Sequence, residues 1–187
     1  TQSVNLLGHK GAYNYFKLLF NHCFASYKDF IYNITIDGSM LSYLNLYLSK
    51  KETPDENYAR EIQELFTVGK RPFSKFTEKD VREIARALVG WTHSYEEIVY
   101  DQGSENIPRF EEWNHDTGDK FFSSFYGNRI IRGKEGQAGA DELQEVVDMI
   151  FETQENSIYI ARRLYQFFVY PALTDEIEDK IIKPLAK

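Results

Sequence analysis

The chain has 187 residues, the length of one ordinary domain, and a net charge of −7 at pH 7. Binding to nucleic-acid phosphates needs clustered Lys and Arg, and no long basic stretch occurs here, so we exclude nucleic acid as a partner. Hydrophobic residues make up 42% of the sequence and aromatic residues 16%, more than a disordered chain carries. Composition therefore predicts a folded protein with many rings in its core.

The number of cysteines and the length of the apolar runs indicate which classes of protein can be excluded. The single Cys23 excludes an internal disulfide and is predicted to be a small, buried apolar residue. No apolar run reaches the roughly 20 residues of a membrane helix, so we expect a soluble chain without a transmembrane segment. The sequence starts at Thr1 without Met and stops at Lys187 inside a predicted helix, so we expect a fragment of a longer parent protein.

Helical periodicity dominates the first 50 residues. Apolar residues recur at helical spacing from Ala12 to Tyr27, which predicts a first long helix. Asp29–Thr35 is predicted to be a short helix, although its Ile residues also favour a strand. Ser39–Leu48 favours one or two short helices before a polar connector that ends in Pro54.

Two amphipathic helices are predicted within Asp55–Trp91, and we expect the rest of the chain to pack around them. The first covers Asn57–Thr67, with Asp55 as its predicted N-cap. The second begins at Thr77 with Asp80 three residues on, which is close to a capping box. Their apolar stripes are expected to face each other in the core: Tyr58, Ile62, Leu65 and Phe66 on the first helix, and Val81, Ile84, Ala85 and Leu88 on the second.

These two helices carry a family resemblance. ENYAREIQELFTVG (Glu56–Gly69), followed by FTEKDVREIARALVGWT (Phe76–Thr92), resembles the paired signature of the bacterial family known as domain of unknown function eighteen hundred. MLSYLNLYLSKKETPDENYARE upstream, and HDTGDK (His115–Lys120) and IYIARRLYQFFVYP (Ile158–Pro171) downstream, extend the similarity over most of the chain. The resemblance implies a mostly helical domain of a longer, exported protein, located in the periplasm or outside the cell. It also implies a cell-envelope partner from a sulfatase-like exported family, and it supplies no catalytic residues.

The stretch after Trp91 is predicted to be mostly irregular, because it lacks a lasting helical period. In chain order we expect a surface excursion over Thr92–Pro108, a small hairpin whose strands Arg109–Trp113 and Lys120–Phe125 flank a turn at Asn114–Asp119, a short strand at Arg129–Arg132, and a flexible linker at Gly133–Gly139.

Helices resume near the C-terminus. We predict a helix over Asp141–Phe151, a helix that Asn156 caps and Pro171 ends, and a last segment that begins at Thr174. The middle one has a core-facing stripe of Ala161, Leu164, Tyr165 and Phe168. The full pattern predicts a mainly α protein: a single helical domain over residues 1–187, with about six to eight helices and a small β-hairpin.

The first candidate site is the polar face of the Asn57–Thr67 helix. Two carboxylates one turn apart can bind a divalent cation, or act as acid and base when their surroundings separate their pKa values. The alternative, which we favour, is a structural ion-pair network in which Arg60 pairs with Glu56 or Glu64, or Arg82 and Arg86 pair with Glu61 and Glu64. The residues that share this face are Asn57, Arg60, Glu61 and Glu64, with Arg86 as a facing cation.

The second candidate site is His115-Asp116, with Asp119 close behind. Imidazole and carboxylate groups can ligate a divalent metal, but further ligands would have to come from distant positions such as Glu61, Glu64 or His93. The alternative is turn chemistry, in which Asp116 accepts a hydrogen bond from the backbone two residues on.

A third possibility is a stacking surface for sugars, since rings crowd the irregular middle region. Most of them are expected to be core residues. The rings concerned are Trp91, Tyr95, Tyr100, Phe110, Trp113, Phe121 and Phe122.

The preferred function is a non-catalytic interaction or scaffolding domain of an exported protein, because every polar group found has a structural explanation. The first alternative is a metal-assisted hydrolase that gathers Glu61, Glu64, His115 and Asp116 around one ion, and the second is the carbohydrate-binding surface. Convergence of those four side chains would favour the hydrolase, whereas acids paired with Arg60, Arg82 or Arg86 would favour the interaction domain.

Overall fold

The computed structural model describes residues 8–93 and 108–187, so the excursion expected at Thr92–Pro108 lies almost entirely outside the described residues. Within those two ranges the chain forms eight helices and two small antiparallel sheets of two strands each. The prediction of a mainly α protein with six to eight helices and a small hairpin is therefore confirmed.

Five helices precede residue 93 and three follow residue 108. They are α1 (Gly8–His22), α2 (Tyr27–Thr35), α3 (Gly38–Tyr43), α4 (Asn57–Glu61, continued as a π-helix over Ile62–Thr67), α5 (Glu78–Leu88), α6 (Glu142–Phe151), α7 (Gln154–Phe168) and α8 (Asp175–Ile177, a π-helical turn over Glu178–Ile182, then Lys183–Leu185). The strands are β1 (Trp91–Thr92), β2 (Arg109–Phe110), β3 (Lys120–Phe121) and β4 (Ile130–Ile131). Short 3₁₀ turns lie at Leu46–Leu48, Glu112–Asn114, Ser124–Tyr126 and Gly136–Asp141.

Helix α5 forms the centre of the core. The four residues of its predicted stripe are fully buried, between α4 on one side and α6 on the other. Its start is fixed by the predicted capping box, in which Thr77 Oγ1 accepts from Asp80 N at 3.2 Å and Asp80 Oδ2 accepts from Thr77 N at 2.7 Å. Burial of Val81, Ile84 and Leu88 stabilises the fold by about 1.5–3 kcal/mol for each side chain.

The second half of α4 differs from the predicted α-helix because it is wound as a π-helix over Ile62–Thr67. Its wider turn, in which Val68 N donates to Gln63 O at 2.9 Å, shifts the later side chains out of α-helical register. Gln63 is fully buried and its Oε1 accepts from Tyr126 Oη at 2.8 Å, whereas Leu65 is 47% exposed. The expectation that Leu65 packs in the core is therefore wrong, while Ile62 is buried as predicted.

Helix α7 begins with a different cap from the predicted one. Thr153 Oγ1 accepts from Asn156 N at 3.3 Å and caps the helix. Asn156 is instead buried, and its side-chain amide donates to Thr67 O at 3.0 Å. The cap prediction for Asn156 is wrong because this residue ties α7 to the end of the π-helix.

The two sheets pair their strands differently from the predicted hairpin. Strand β1 pairs with β2, with Trp91 opposite Phe110, and β3 pairs with β4, with Lys120 opposite Ile131. The pairing of Arg109–Trp113 with Lys120–Phe125 is therefore wrong, whereas the short strand near Ile130 is confirmed. The reason is that the segment between β2 and β3 is bonded to α5 and α6, so the two strands that flank it face different partners.

The glycine-rich stretch after β4 is packed against the chain, and its prediction as a flexible linker is wrong. Gly133 N donates to Asp119 Oδ1 at 3.0 Å, and a Cβ on Gly133 would lie 1.9 Å from Thr117 O. The following residues form the 3₁₀ turn Gly136–Asp141. Close approach of two backbones, rather than flexibility, explains the glycine at this position.

Two further findings concern the surface. Cys23 is exposed, contrary to its predicted burial, because it follows the last residue of α1 in a turn. No helix within residues 8–93 and 108–187 is both long enough and apolar enough to cross a membrane.

Candidate functional site

Two of the polar residues predicted on α4, Arg60 and Glu64, belong to an ion-pair network at the surface. Arg60 Nη2 lies 2.7 Å from Glu78 Oε2 and 3.3 Å from Glu56 Oε2, and Arg60 Nη1 lies 3.9 Å from Glu64 Oε1. Lys70 reaches the other oxygen of Glu64 at 3.4 Å. The hydrogen bond from Arg60 lowers the pKa of the exposed Glu78 carboxyl. The favoured interpretation, in which Arg60 pairs with carboxylates along its own helix, is therefore confirmed.

The remaining members of this candidate site are not joined to that network. Asn57 donates from its side chain to Leu44 O at 3.3 Å. Glu61 Oε2 is buried and has no hydrogen-bond partner in the described part of the chain. The alternative in which Arg86 pairs with Glu61 and Glu64 is wrong, because Arg86 points to a different segment.

Arg86 instead holds the segment His115–Lys120. Its Nε donates to Asp116 Oδ2 at 2.7 Å and its Nη2 donates to Asp116 Oδ1 at 3.1 Å, while Nη1 donates to Glu83 Oε2 at 2.7 Å. Asp116 Oδ1 also accepts from Gly118 N at 2.9 Å, which is the predicted turn bond. Partial burial raises the pKa of Asp116, but the bonds from Arg86 and Gly118 lower it by more, so it lies below the ordinary 3.8.

His115 lies in a buried cluster with two residues that sequence reasoning missed, Lys120 and Glu142. His115 Nδ1 lies 2.7 Å from Val89 O and Nε2 lies 3.0 Å from Glu142 Oε1. Both ring nitrogens therefore lie within hydrogen-bond distance of an oxygen atom. Lys120 Nζ lies 2.6 Å from Glu142 Oε2, and both side chains are fully buried.

The contacts of this buried cluster hold the surrounding backbone in place. Lys120 also donates to Asp116 O, and Glu142 Oε1 accepts from Lys134 N at 2.8 Å. The contact between Lys120 and Glu142 is an ion pair without hydrogen-bond geometry at Oε2. These bonds fix the backbone of His115–Lys120 between α5 and α6.

The predicted metal site gains no further ligands from this arrangement. In the described residues, no group of three or more His, Cys, Asp or Glu side chains is placed to hold a metal ion. Glu64 pairs with Arg60 and Lys70 at the surface, whereas Asp116 pairs with Arg86. Metal binding at His115 and Asp116 stays a prediction.

Ser42 and His93 form a contact that the sequence did not predict. Ser42 Oγ lies 2.7 Å from His93 Nε2 and donates to Gly38 O at 2.9 Å, and Tyr47 stacks on the imidazole with ring centroids 4.7 Å apart. A hydroxyl has one hydrogen, so while Ser42 donates to Gly38 it accepts from His93. This contact helps to position β1 against α3.

The aromatic residues of the middle region divide into two groups. Trp91 and Phe122 are buried, and Phe110 packs edge-on against Trp91 at 5.4 Å. Trp113 is 69% exposed and Phe121 46% exposed. Tyr95 and Tyr100 lie outside the described residues, so the sugar-stacking surface stays a prediction.

Three unfilled depressions in the described part of the chain lie around α7. One depression, between α7 and α8, has a volume of about 770 Å³, and a second, between α7 and the α1–α2 corner, has a volume of about 510 Å³. Ile160 and Leu164 line both, and the second shares Leu65 with a smaller depression of about 260 Å³. We call these three adjoining depressions the α7 groove. Its walls include Leu19, Cys23, Tyr27, Leu65, Phe73, Tyr159, Ile160, Arg163, Leu164, Phe168, Ile181 and Leu185.

Large apolar side chains of the groove wall, and others on α1 and its following turn, are exposed to solvent. Leu164 is 53% exposed, Phe168 75% and Leu185 71%, and on α1 and its following turn Phe20 is 78% and Phe24 100% exposed. The predicted stripe of α7 is therefore buried at Ala161 but open to solvent further along. Large contiguous apolar patches are rare on soluble monomers and are typical of interaction surfaces.

The comparisons with known proteins identify a family without an assigned activity. The family model described as "Protein of unknown function (DUF1800)" matches residues 3–187. No curated protein and no solved structure has a significant match to the chain.

Proposed function

Since the chain belongs to the DUF1800 family, whose function is unknown, we propose a function from its geometry: it is a non-catalytic interaction domain that docks a partner in the α7 groove. The observation that carries this proposal is the α7 groove itself, a connected apolar surface lined by residues of α1, α2, α4, α7 and α8. The polar clusters add support, since Arg60, Arg86 and Lys120 already engage most of the nearby acids.

We propose the setting of this interaction from the family resemblance alone. We place the domain in an exported protein of the bacterial cell envelope, where a sulfatase-like exported protein is the partner to test first. Binding to such a partner would cover Leu164 and Phe168 and would stabilise the complex by removing apolar area from water, at about 25 cal/mol per Å² before the costs of association.

The metal-assisted hydrolase is the weaker alternative. It requires Glu61, Glu64, His115 and Asp116 to share one ion, and no observation within residues 8–93 and 108–187 favours that arrangement. A thermal-shift scan across divalent metals tests it, because an ion that binds the native state raises the melting temperature by mass action.

The docking proposal is tested with a displayed library of amphipathic helical peptides, screened against the purified chain and against its Leu164→Asp variant. We expect the wild type to enrich peptides that the variant does not bind, because a carboxylate replaces the apolar wall of two depressions. Trp113→Ser is the matched control, since Trp113 is an exposed apolar residue outside the groove. Peptides that bind the wild type and Leu164→Asp equally, or no enriched peptides at all, would contradict the proposal.

A further inference from the structure

An arginine on the wall of the α7 groove lacks an ionic partner. Arg163 is exposed and lines both the 510 Å³ and the 260 Å³ depressions, beside Leu65 and Tyr159. In the two described ranges it makes no ion pair and no hydrogen bond through its side chain. The positive charge of Arg163 acts on Tyr159. Burial raises the pKa of Tyr159, and the charge of Arg163 opposes that rise.

The neighbouring cations are already engaged, which distinguishes Arg163 from them. Arg162 donates to Glu178 at 2.6 and 2.9 Å, and its guanidinium lies 4.5 Å from the centre of the Phe73 ring. Lys70 reaches Glu64 at 3.4 Å. A guanidinium binds a carboxylate through two parallel hydrogen bonds, so Arg163 is placed to take a carboxylate from outside the described residues.

We propose that the α7 groove takes an amphipathic helix of a partner protein, with apolar residues on its inner face and a carboxylate that pairs with Arg163. This inference rests on the proposed docking function and names the chemistry of the partner. Ile160 and Leu164 are one helical turn apart and form a ridge between two depressions, which suits a partner helix with apolar residues at i, i+3 or i+4 and i+7. Arg163 lies beside this ridge, so the acidic position lies at the edge of the partner's apolar face.

Charge argues against a second copy of this chain that pairs through the faces of α1 and α7. Helix α1 has no acid and α7 has only Glu155, in its first turn, so pairing these two faces between copies would leave Arg163 without a carboxylate. Pairing through α8, which carries Asp175, Glu176 and Asp179, is the arrangement of two copies that a measurement of oligomeric state tests.

Charge also argues against an anionic membrane. The exposed residues of α8 beside the groove include Asp175, Glu176 and Asp179, and the chain as a whole has a net charge of −7. Anionic lipids attract clusters of Lys and Arg, so this rim would weaken such binding.

The experiment uses the same peptide library with randomised polar positions, screened against the wild type and against Arg163→Glu. We expect the wild type to enrich Asp or Glu at one fixed position beside the apolar residues, and Arg163→Glu to enrich Lys or Arg at that position. An acidic peptide selected on the wild type should bind Arg163→Glu at least about tenfold more weakly, the size expected for loss of a well-formed ion pair and gain of a like charge. Arg82→Glu, which changes an exposed arginine on α5, is the matched control and should leave the affinity unchanged.

The outcomes separate the two proposals. Enrichment that depends on Leu164 but shows no acidic preference, or no charge reversal with Arg163→Glu, overturns this inference and leaves the docking function standing. Absence of any Leu164-dependent peptide overturns both. A dimer in light scattering that Leu164→Asp abolishes would make a second copy the occupant, and Leu164-dependent binding to phosphatidylglycerol vesicles would make it a membrane; either result overturns the inference.

Discussion

Arg86 and Asp116 are joined by two parallel hydrogen bonds, at 2.7 and 3.1 Å, across 30 positions of sequence. The pair fastens the segment His115–Lys120 to the central helix α5. Each side chain is mostly shielded from solvent, with 27% of Arg86 and 19% of Asp116 exposed, so water replaces these bonds poorly.

Asp116→Asn tests the strength of this pair. The amide keeps the shape of the side chain but loses its charge and one acceptor, so we expect the free energy of unfolding to fall by about 1–3 kcal/mol. Denaturant unfolding measures this change. Glu176→Gln is the control, because its partner Lys180 is exposed and such surface pairs contribute about 0–1 kcal/mol. Equal effects of the two substitutions would contradict the expectation.

The same pair predicts a pH dependence. The pKa of Asp116 is lower in the folded chain than the ordinary 3.8, so the charged form is favoured by folding. Its contribution to stability is complete above 3.8, and it is lost as the pH falls through the lower folded value. The difference in unfolding free energy between wild type and Asp116→Asn should therefore be constant from pH 7 to 5 and shrink below pH 4. A difference that grows on acidification would contradict this sign.

The sequence predicted features that depend on neighbouring residues, but not contacts between residues that are far apart in the chain. The stripe and capping box of α5 were predictable, because they depend on residues within a few turns of each other. The partner of Arg86 was not, because only the folded chain brings Asp116 to it. Leu65 was misplaced since periodicity assumes α-helical register, and the π-helix changes that register.

The buried pair of Lys120 and Glu142 predicts strong coupling. Lys120→Met leaves a buried carboxylate without its cation, and Glu142→Gln leaves a buried ammonium without its anion, so each should cost about 3–5 kcal/mol. The double variant Lys120→Met with Glu142→Gln should lose less than the sum, with a coupling energy of about 0.5–3 kcal/mol in a double-mutant cycle. Strict additivity of the three unfolding energies would show that the two groups do not interact.

Substitutions at Gly133 and Gly127 distinguish the cost of a steric clash from the cost of a positive φ. Gly133→Ala would place a Cβ 1.9 Å from Thr117 O, so backbone must move and we expect a loss of several kcal/mol, of the size found for disrupted cores, about 3 or more. Gly127 has a positive φ of 64° and nothing within 4 Å of a Cβ, so Gly127→Ala should cost only about 1–2 kcal/mol. Thermal and denaturant unfolding of both variants gives the comparison, and a larger loss at Gly127 would refute it.

In the candidate site, too, the residues that are close in sequence were predicted and their distant partner was not. The segment His115–Lys120 was singled out by its side-chain chemistry, but Glu142, its buried partner, sits in an ordinary helical pattern that carries no sign of a charge in the core. Periodicity also identified the apolar stripe of α7 without telling whether another element covers it. The sequence therefore predicts Leu164 and Phe168 to be core residues, whereas in the structure they line the α7 groove.

Cys23 offers a direct probe of the groove. It is the single cysteine of the chain, it is exposed, and it lines the depression shared by Tyr27 and Leu164. We expect a thiol reagent such as dithionitrobenzoate to react with one thiol per chain without denaturant, and Cys23→Ser to abolish the signal. Because the side chain packs in no core, Cys23→Ser should change the free energy of unfolding by less than about 0.5 kcal/mol. A peptide bound in the groove should slow the reaction, whereas a peptide that binds elsewhere should leave its rate unchanged. A thiol that reacts only after unfolding would place Cys23 in the core and remove it from the groove wall.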